Sequence, residues 1–337
     1  MALFAPRREV LLGLACALFA PAVIRPTAAA AEDPLRFPHM FGVTELPRPA
    51  ERVVSLGFST QDTLLALGVV PVGIRYWFGD QPYGVWPWAT PYLKDAKPAL
   101  IKGTISLEMV ATLKPDLIVG VGSAITEAEY ADLSRIAPVL MSPPEFPAYG
   151  MPWEPLMRLI GRAVGKDQLA NELIVKTSQN LAALRQRHPD WAGRTAVAAY
   201  HYGGETGIFA SADARGRFLK ELGFQPTAET ARLDKAKSFY QKLSPEDLSA
   251  LEADLLFWVS SFDQAPDLVN LPMRRTLKAH SEGREVFASG VLAAAISFGS
   301  ALSLPFAASE LEADIAAAID GDPVTQVQSA LRAGLVP

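Results

Sequence analysis

The sequence predicts an α/β fold of two like-built lobes joined by a long, mainly helical connector, and three observations carry that expectation. Short apolar runs bounded by glycine and proline alternate with segments of helical period, as parallel-sheet units require. One such pattern recurs: S-L-E-M-V-A-T-L-K-P-D-L-I-V-G-V-G-S (106–123) aligns with S-P-E-D-L-S-A-L-E-A-D-L-L-F-W-V-S-S (244–261). The alignment keeps Ser106/Ser244, Glu108/Glu246, Leu113/Leu251, Asp116/Asp254, Leu117/Leu255 and Ser123/Ser261, so both halves repeat one helix and the strand it feeds. Between them, residues 153–189 hold apolar residues at mostly helical spacing and stop at Pro189.

From the start of the chain, residues 5–32 place Arg7 and Arg8 before an apolar run and end on Ala28, Ala29 and Ala30. That order is an export signal of twin-arginine appearance, cleaved near Ala30, and its core of about 15 residues is short for a bilayer span of roughly 20. Residues 34–52, with Pro34, Pro38, Pro47 and Pro49, read as an irregular lead-in. A strand follows at 53–56, then a turn at Gly57, a helix at 60–67 stopped by Gly68, and a second strand at 70–74. The loop 75–98 carries more aromatic side chains than a solvent covering needs, among them Tyr76, Trp77, Trp86 and Trp88. Residues 106–113 are predicted as a short helix and 117–121 as a strand buried on both faces. The first lobe therefore spans 48–150 and the connector 153–188, with a bend at Gly161 and Gly165. The second lobe, 190–320, begins with a strand at 195–200 and a glycine turn at Gly203 and Gly204. It repeats the helix, Leu-Gly, proline order of 60–71 at 215–226 and ends in an alanine-rich helix at 309–319.

Composition narrows the function. A net charge of −5 with 31 basic residues gives no basic field for nucleic acid. The single cysteine, Cys16, lies in the signal segment, so no disulfide or thiolate cluster is available. His39, His188, His201 and His280 are widely separated and show no metal-ligand spacing. Ser55 and Ser59 do not form a G-x-S-x-G elbow, and the glycines of 201–207 lack the lysine of a phosphate loop. No catalytic or metal-binding residue is assigned, and a periplasmic enzyme is the minor alternative.

Binding chemistry is present instead. Ligands of open α/β sheets sit beyond the carboxyl ends of strands. Arg75, Tyr76, Trp77 and Trp88 fall in such loops in the first half, and Tyr202, Tyr240, Trp258, Phe262 and Phe298 in the second. Aromatic faces pack a large, partly apolar ligand, while arginine and tyrosine donate to its oxygens. Few basic residues stand in these segments, which favours a neutral or weakly anionic ligand.

The order and spacing of several motifs resemble the periplasmic substrate-binding components of ABC importers for ferric siderophores, haem and cobalamin. The motifs are R-V-V-S-L at 52–56, L-G-V-V-P-V-G at 67–73, S-L-E-M-V-A-T-L-K-P-D-L-I at 106–118, S-P-E-D-L at 244–248 and F-G-S-A-L-S-L-P at 298–305. The resemblance implies two Rossmann-like lobes joined by a rigid helix, a ligand cleft between them and little lobe closure. It implies a ferric siderophore of hydroxamate-like type as ligand, with haem or cobalamin as the alternative, no covalently bound cofactor, and a monomeric protein in the periplasm. Arg75 occupies the segment where hydroxamate receptors of the family hold an arginine against the chelating oxygens. Glu108 and Glu246 match the acidic residues that such receptors present, one per lobe, to an inner-membrane ABC permease, with Asp247 as a second carrier. The glutamates also suit plain helix starts after Ser106 and Ser244.

Overall fold

The computed structural model describes residues 34–147, 149–261 and 266–335. The signal segment and Phe262 lie outside the described residues. The lead-in is not irregular: β1 (Leu35–His39) and β2 (Gly42–Leu46) form an antiparallel hairpin. Phe37 and His39 are buried while Arg36 and Pro38 face out, a period-two alternation that the prolines disguise.

The first sheet contains β3 (Val53–Ser55), β4 (Gly73–Arg75), β5 (Ala99–Ile101), β6 (Leu117–Val119) and β7 (Val139–Leu140). They run all-parallel in the order β5-β4-β3-β6-β7. Every residue of β3, β6 and β7 is buried, as a sheet covered on both faces demands. Its crossovers are α1 (Thr60–Ala66), α2 (Leu107–Thr112) and α3 (Glu127–Leu133), the last closed by a capping box between Thr126 and Glu129.

The connector is two helices, α4 (Trp153–Ala163) and α5 (Asp167–Arg187). The chain turns between them at Gly165, whose φ of +66° suits glycine, and the Lys166 N–H closes on the Gly161 carbonyl at 2.7 Å. At 1.5 Å per residue α5 is about 31 Å long, the length of a small lobe. Its end is fastened by Glu312, which accepts from Arg187 Nη2 at 2.7 Å and bonds His188 Nε2 at 2.8 Å.

The second sheet is mixed. β8 (Thr195–Tyr202), β12 (Leu255–Ser260) and β13 (Glu285–Ser289) are parallel, whereas β9 (Glu205–Phe209) and β11 (Tyr240–Lys242) run antiparallel to their neighbours β8 and β9. The short β10 (Gln225–Pro226) pairs with the start of β8. Gly203 and Gly204 make the hairpin turn with φ of +59° and +78°. The helices of this half are α6 (Ala214–Glu221), α7 (Ala228–Lys235), single turns α8 (Pro266–Val269) and α9 (Lys278–Ser281), α10 (Gly290–Phe298), α11 (Ser303–Ile319) and α12 (Gln328–Ala333). α12 packs against β13, with the Phe287 N–H donating to Ser329 Oγ at 3.2 Å, so the tail beyond Gly321 carries structure that its sequence does not announce.

The repeated segment keeps its strand and loses its helix. Where 106–113 forms α2, residues 244–248 form a turn with a Ser244–Asp247 bridge, followed by a 3₁₀ turn at Ser249–Leu251. Ser244 Oγ accepts the Glu246 N–H and Asp247 Oδ1 the Ser249 N–H, and such short side-chain bonds compete with a helix. The shared aspartates act alike: Asp116 accepts from the N–H groups of Glu51 and Arg52 just before β3, and Asp254 from that of Thr195 at the start of β8. One apolar cluster runs through both sheets and the connector, while a smaller one, including Val54, Val110 and Ile118, fills the other face of the first sheet.

Candidate functional site

Four of the five parallel strands of the first sheet, β3, β4, β6 and β7, deliver a residue to one cavity. Phe58, Ser59 and Thr60 follow β3, Trp77 follows β4, Val121 and Gly122 follow β6, and Ser142 follows β7. Gly57 permits this convergence, because a Cβ there would stand 2.0 Å from the Val121 carbonyl oxygen. The second half supplies Asp213, Arg215 and Arg217 at the start of α6, Phe239 before β11, and Ser297 and Phe298 at the end of α10. Tyr149, Met151, Trp153 and Leu156 of the connector region close the remaining side around a volume of about 310 Å³. A second space of about 480 Å³ adjoins it, sharing Trp77, Arg215 and Ser297 and reaching Tyr200, His201 and Tyr202 at the end of β8.

The cavity wall is a run of rings that crosses between the halves. Phe58 and Trp77 have centroids 5.5 Å apart, Trp77 and Phe298 again 5.5 Å, Phe58 and Tyr149 6.2 Å, and Tyr149 and Phe239 6.4 Å. Beneath Phe298, Trp88 lies parallel to Trp86 at 5.6 Å and donates from Nε1 to Asp62 Oδ2 at 2.6 Å. Ser300 Oγ, from the other half, donates to the same oxygen at 2.7 Å. Asp62 is fully buried, and burial raises its pKa to about 7 against the pull of the Ser300 and Trp88 hydrogen bonds. A carboxyl group thus ties the two halves together under the cavity floor.

Of the residues expected at the ligand, Trp77 and Phe298 line the main cavity and Tyr202, 68% exposed, lines the second. Arg75 stands one layer behind. Its guanidinium lies 4.6 Å from the Phe58 centroid and donates to the Ser123 carbonyl at 2.8 Å. Tyr76 lies under the Lys102 ammonium at 5.1 Å and Tyr240 packs on Phe239, neither lining either space. Trp88 is a buried support of Phe298, not a wall. Trp258 is 1% exposed and its Nε1 donates to buried Glu285 at 2.8 Å, so it is core: its strand is covered on both faces. Glu108 is exposed in the first turn of α2, whose Ser106 Oγ caps the Met109 N–H at 3.2 Å, and Glu246 is exposed in its turn.

Two basic residues outside the segments expected at the ligand, Arg215 and Arg217, also line the cavity. Arg215 is held by Asp213 at 3.1 Å and lies over Phe209, while the Arg217 guanidinium donates to the Gly150 carbonyl at 3.2 Å. The alignment of 60–71 with 215–226 holds the signal for them: it pairs Thr60 with Arg215, and both line the cavity. Trp153, Tyr149 and Phe58 carry no such local mark. Among the described residues no group of three or more His, Cys, Asp or Glu side chains is placed to hold a metal ion, and no helix is long and apolar enough to cross a membrane.

Comparison with known proteins fits this geometry. The profile of the periplasmic binding protein family matches residues 53–319. The chain is 28% identical over 229 residues to Probable siderophore-binding lipoprotein YfiY of Bacillus subtilis (strain 168), covering 65% of this chain and 67% of that one. Among solved structures, a periplasmic solute binding protein from Mycobacterium smegmatis is similar at 32% identity and a TM-score of 0.75, over 85% of this chain and 99% of that one. PiaA of Streptococcus pneumoniae, solved in complex with ferrichrome, shares the fold at 23% identity and a TM-score of 0.73, over 85% and 99% of the two chains.

Proposed function

The chain belongs to the periplasmic binding protein family, and from that premise we propose that it is the extracytoplasmic receptor that captures a ferric siderophore and delivers it to an ABC importer. The single observation that carries this reading is the cavity at the carboxyl ends of the first sheet, walled by aromatic rings from both halves and edged by arginines. Rings pack the apolar faces of a chelate, and guanidinium groups donate to its oxygens. The siderophore-binding name of the Bacillus relative and the ferrichrome complex of the Streptococcus structure support the same ligand class.

Capture needs little motion here. α4 packs on α1 of the first half and α5 on α11 of the second, the main apolar cluster is continuous through both, and the Asp62–Ser300 bond and the Trp88–Phe298 contact lock the floor. The ligand then enters a largely formed site, so its binding energy is not spent on ordering the walls. The loaded protein presents Glu108 on one half and Glu246, with Asp247 beside it, on the other. These charges set the register of docking on a two-subunit permease. The protein acts from the periplasm as a monomer after removal of its signal segment.

Titration of tryptophan fluorescence in the mature protein tests the ligand class. Trp77 and Trp153 line the cavity, so ferric siderophores quench emission at micromolar concentration or below. Binding of haem or cobalamin with no response to any ferric siderophore overturns the assignment. The docking surface is tested by a Glu108→Ala/Glu246→Ala double variant in a reconstituted transporter. Siderophore affinity stays unchanged while uptake and ATPase stimulation fall by about 10-fold or more, the scale of one or two lost charge pairs. Unchanged transport removes both glutamates from the permease contact.

A further inference from the structure

The tip of the β1–β2 hairpin is fastened by one buried histidine whose two ring nitrogens are both committed. His39 is 4% exposed, and its Nδ1 accepts the Phe41 N–H at 3.2 Å, closing the turn. Its Nε2 lies 2.9 Å from Thr44 Oγ1, and the Thr44 hydroxyl spends its own proton on the Val139 carbonyl of β7 at 2.6 Å. Thr44 can therefore only accept from the ring, so the hydrogen bonds assign a neutral imidazole with its proton on Nε2. Beside this chain the Met40 N–H donates to the Ser142 carbonyl at 3.3 Å, and Ser142 lines the cavity. Histidine, threonine and β7 thus form one relay that holds the tip on the edge strand of the first sheet.

A second proton has no place in this arrangement. On Nδ1 it would point at the Phe41 N–H, donor against donor, and it would bury a positive charge that needs a partner. The surrounding elements offer none. On the hairpin Arg36 pairs with Glu45 at 3.2 Å, and both side chains are more than half exposed. On α3, Tyr130 sets its ring edge-on to His39 at 5.2 Å with its hydroxyl 3.4 Å from Nε2, Glu127 and Glu129 are exposed, and Asp132 pairs with Arg135 at 3.1 Å. β7 carries no charged residue. Burial holds the His39 pKa below its ordinary value of 6.5. The released ring therefore binds a proton more readily than the fastened one, so the relay is at full strength above pH 6.5 and loses strength as pH falls below it.

We propose that His39 is a pH-operated latch: neutral, it holds residues 39–44 on β7, and protonated, it releases them together with the Met40 anchor on the cavity residue Ser142. The latch is separate from ligand capture and does not depend on which chelate is bound.

Hydrogen exchange of the Met40 and Phe41 amides, read by NMR on the mature protein and expressed as protection relative to the free peptide, tests it. Between pH 7.5 and pH 5.5 their protection falls by about 5-fold or more, within the roughly 10-fold per pH unit that one coupled proton allows. Amides of β3 and β6 change by less than about 2-fold, the mark of a local opening. His39→Asn keeps an acceptor for the Phe41 N–H, since an asparagine oxygen bonds the N–H two residues on, and it cannot be protonated. In that variant the protection is the same at both pH values. Ring nitrogen shifts of the wild type supply a measurement that needs no variant: at pH 7.5 they place the proton on Nε2. Unchanged wild-type protection between the two pH values, an equal acid loss in His39→Asn, or a ring protonated on Nδ1 at pH 7.5 overturns the latch.

Discussion

The two halves are built on one plan and spend it differently. Asp116 and Asp254 occupy matching positions, and each carboxylate binds the backbone N–H groups at the head of the neighbouring strand, β3 or β8. Around them the architectures part. The first sheet is all-parallel and sends four successive strand ends into the cavity, whereas the second breaks the pattern with the β8–β9 hairpin and the antiparallel β11. Their buried polar groups also differ. The first half hides the single carboxyl of Asp62, bonded to Trp88 and to Ser300 across the interface. The second hides an ion cluster in which Glu285 binds Arg274 at 2.7 Å, His280 at 2.9 Å and Trp258 at 2.8 Å. Repeated topology fixes where strands and turns lie, and the side chains at equivalent turns are then free to serve as wall in one half and charge in the other.

The largest effect falls on the second half. Glu285→Ala leaves Arg274, 2% exposed, without its counter-ion, and stability measured by urea unfolding drops by about 3–5 kcal/mol. A drop below about 1 kcal/mol would mean that the cluster is incidental to this lobe. Asp62→Asn acts at the junction of the halves and separates itself by pH. The folded carboxyl has its pKa raised from 3.8 to about 7, so the unfolded chain ionises first and wild-type stability erodes as pH rises through that window. The variant lacks this erosion and gains on the wild type from about pH 4 to about pH 7, with the difference constant above; parallel melting curves at pH 4.5 and 8 contradict it. The smallest effect is the paired one. Asp116→Ala and Asp254→Ala each remove a cap on a strand start at a cost of about 1 kcal/mol, and a cost confined to one of them would show that the shared position has kept its role in a single half.

The repeat was legible because its determinants are local. The Leu-Gly-proline endings of α1 and α6, the β6 and β12 runs, and the glycine-marked break between α4 and α5 are written within a few residues each. The β1–β2 hairpin and α12 were less visible: the first hides its alternation behind prolines, and the second owes its existence to packing on β13. The helix expected at 244–251 failed for the opposite reason, since Ser244 and Asp247 offer the backbone nearer partners than a helical turn does.

The sequence by itself determined the α/β class, the two like halves, the helical connector and the aromatic supply, because each depends on periodicity, turn chemistry or composition within a short window. Which aromatic reaches the cavity was decided by tertiary structure alone. Trp77 and Trp258 both belong to strand-and-loop regions rich in apolar residues, yet one lines the cleft and the other bonds Glu285 in the core. Arg217 and Gly150 meet although 67 positions separate them, through a guanidinium that donates to the carbonyl just ahead of α4 only once the chain has folded. A strand fixes its own pleat, but the direction in which its end residues open onto a cavity depends on what the rest of the chain leaves uncovered.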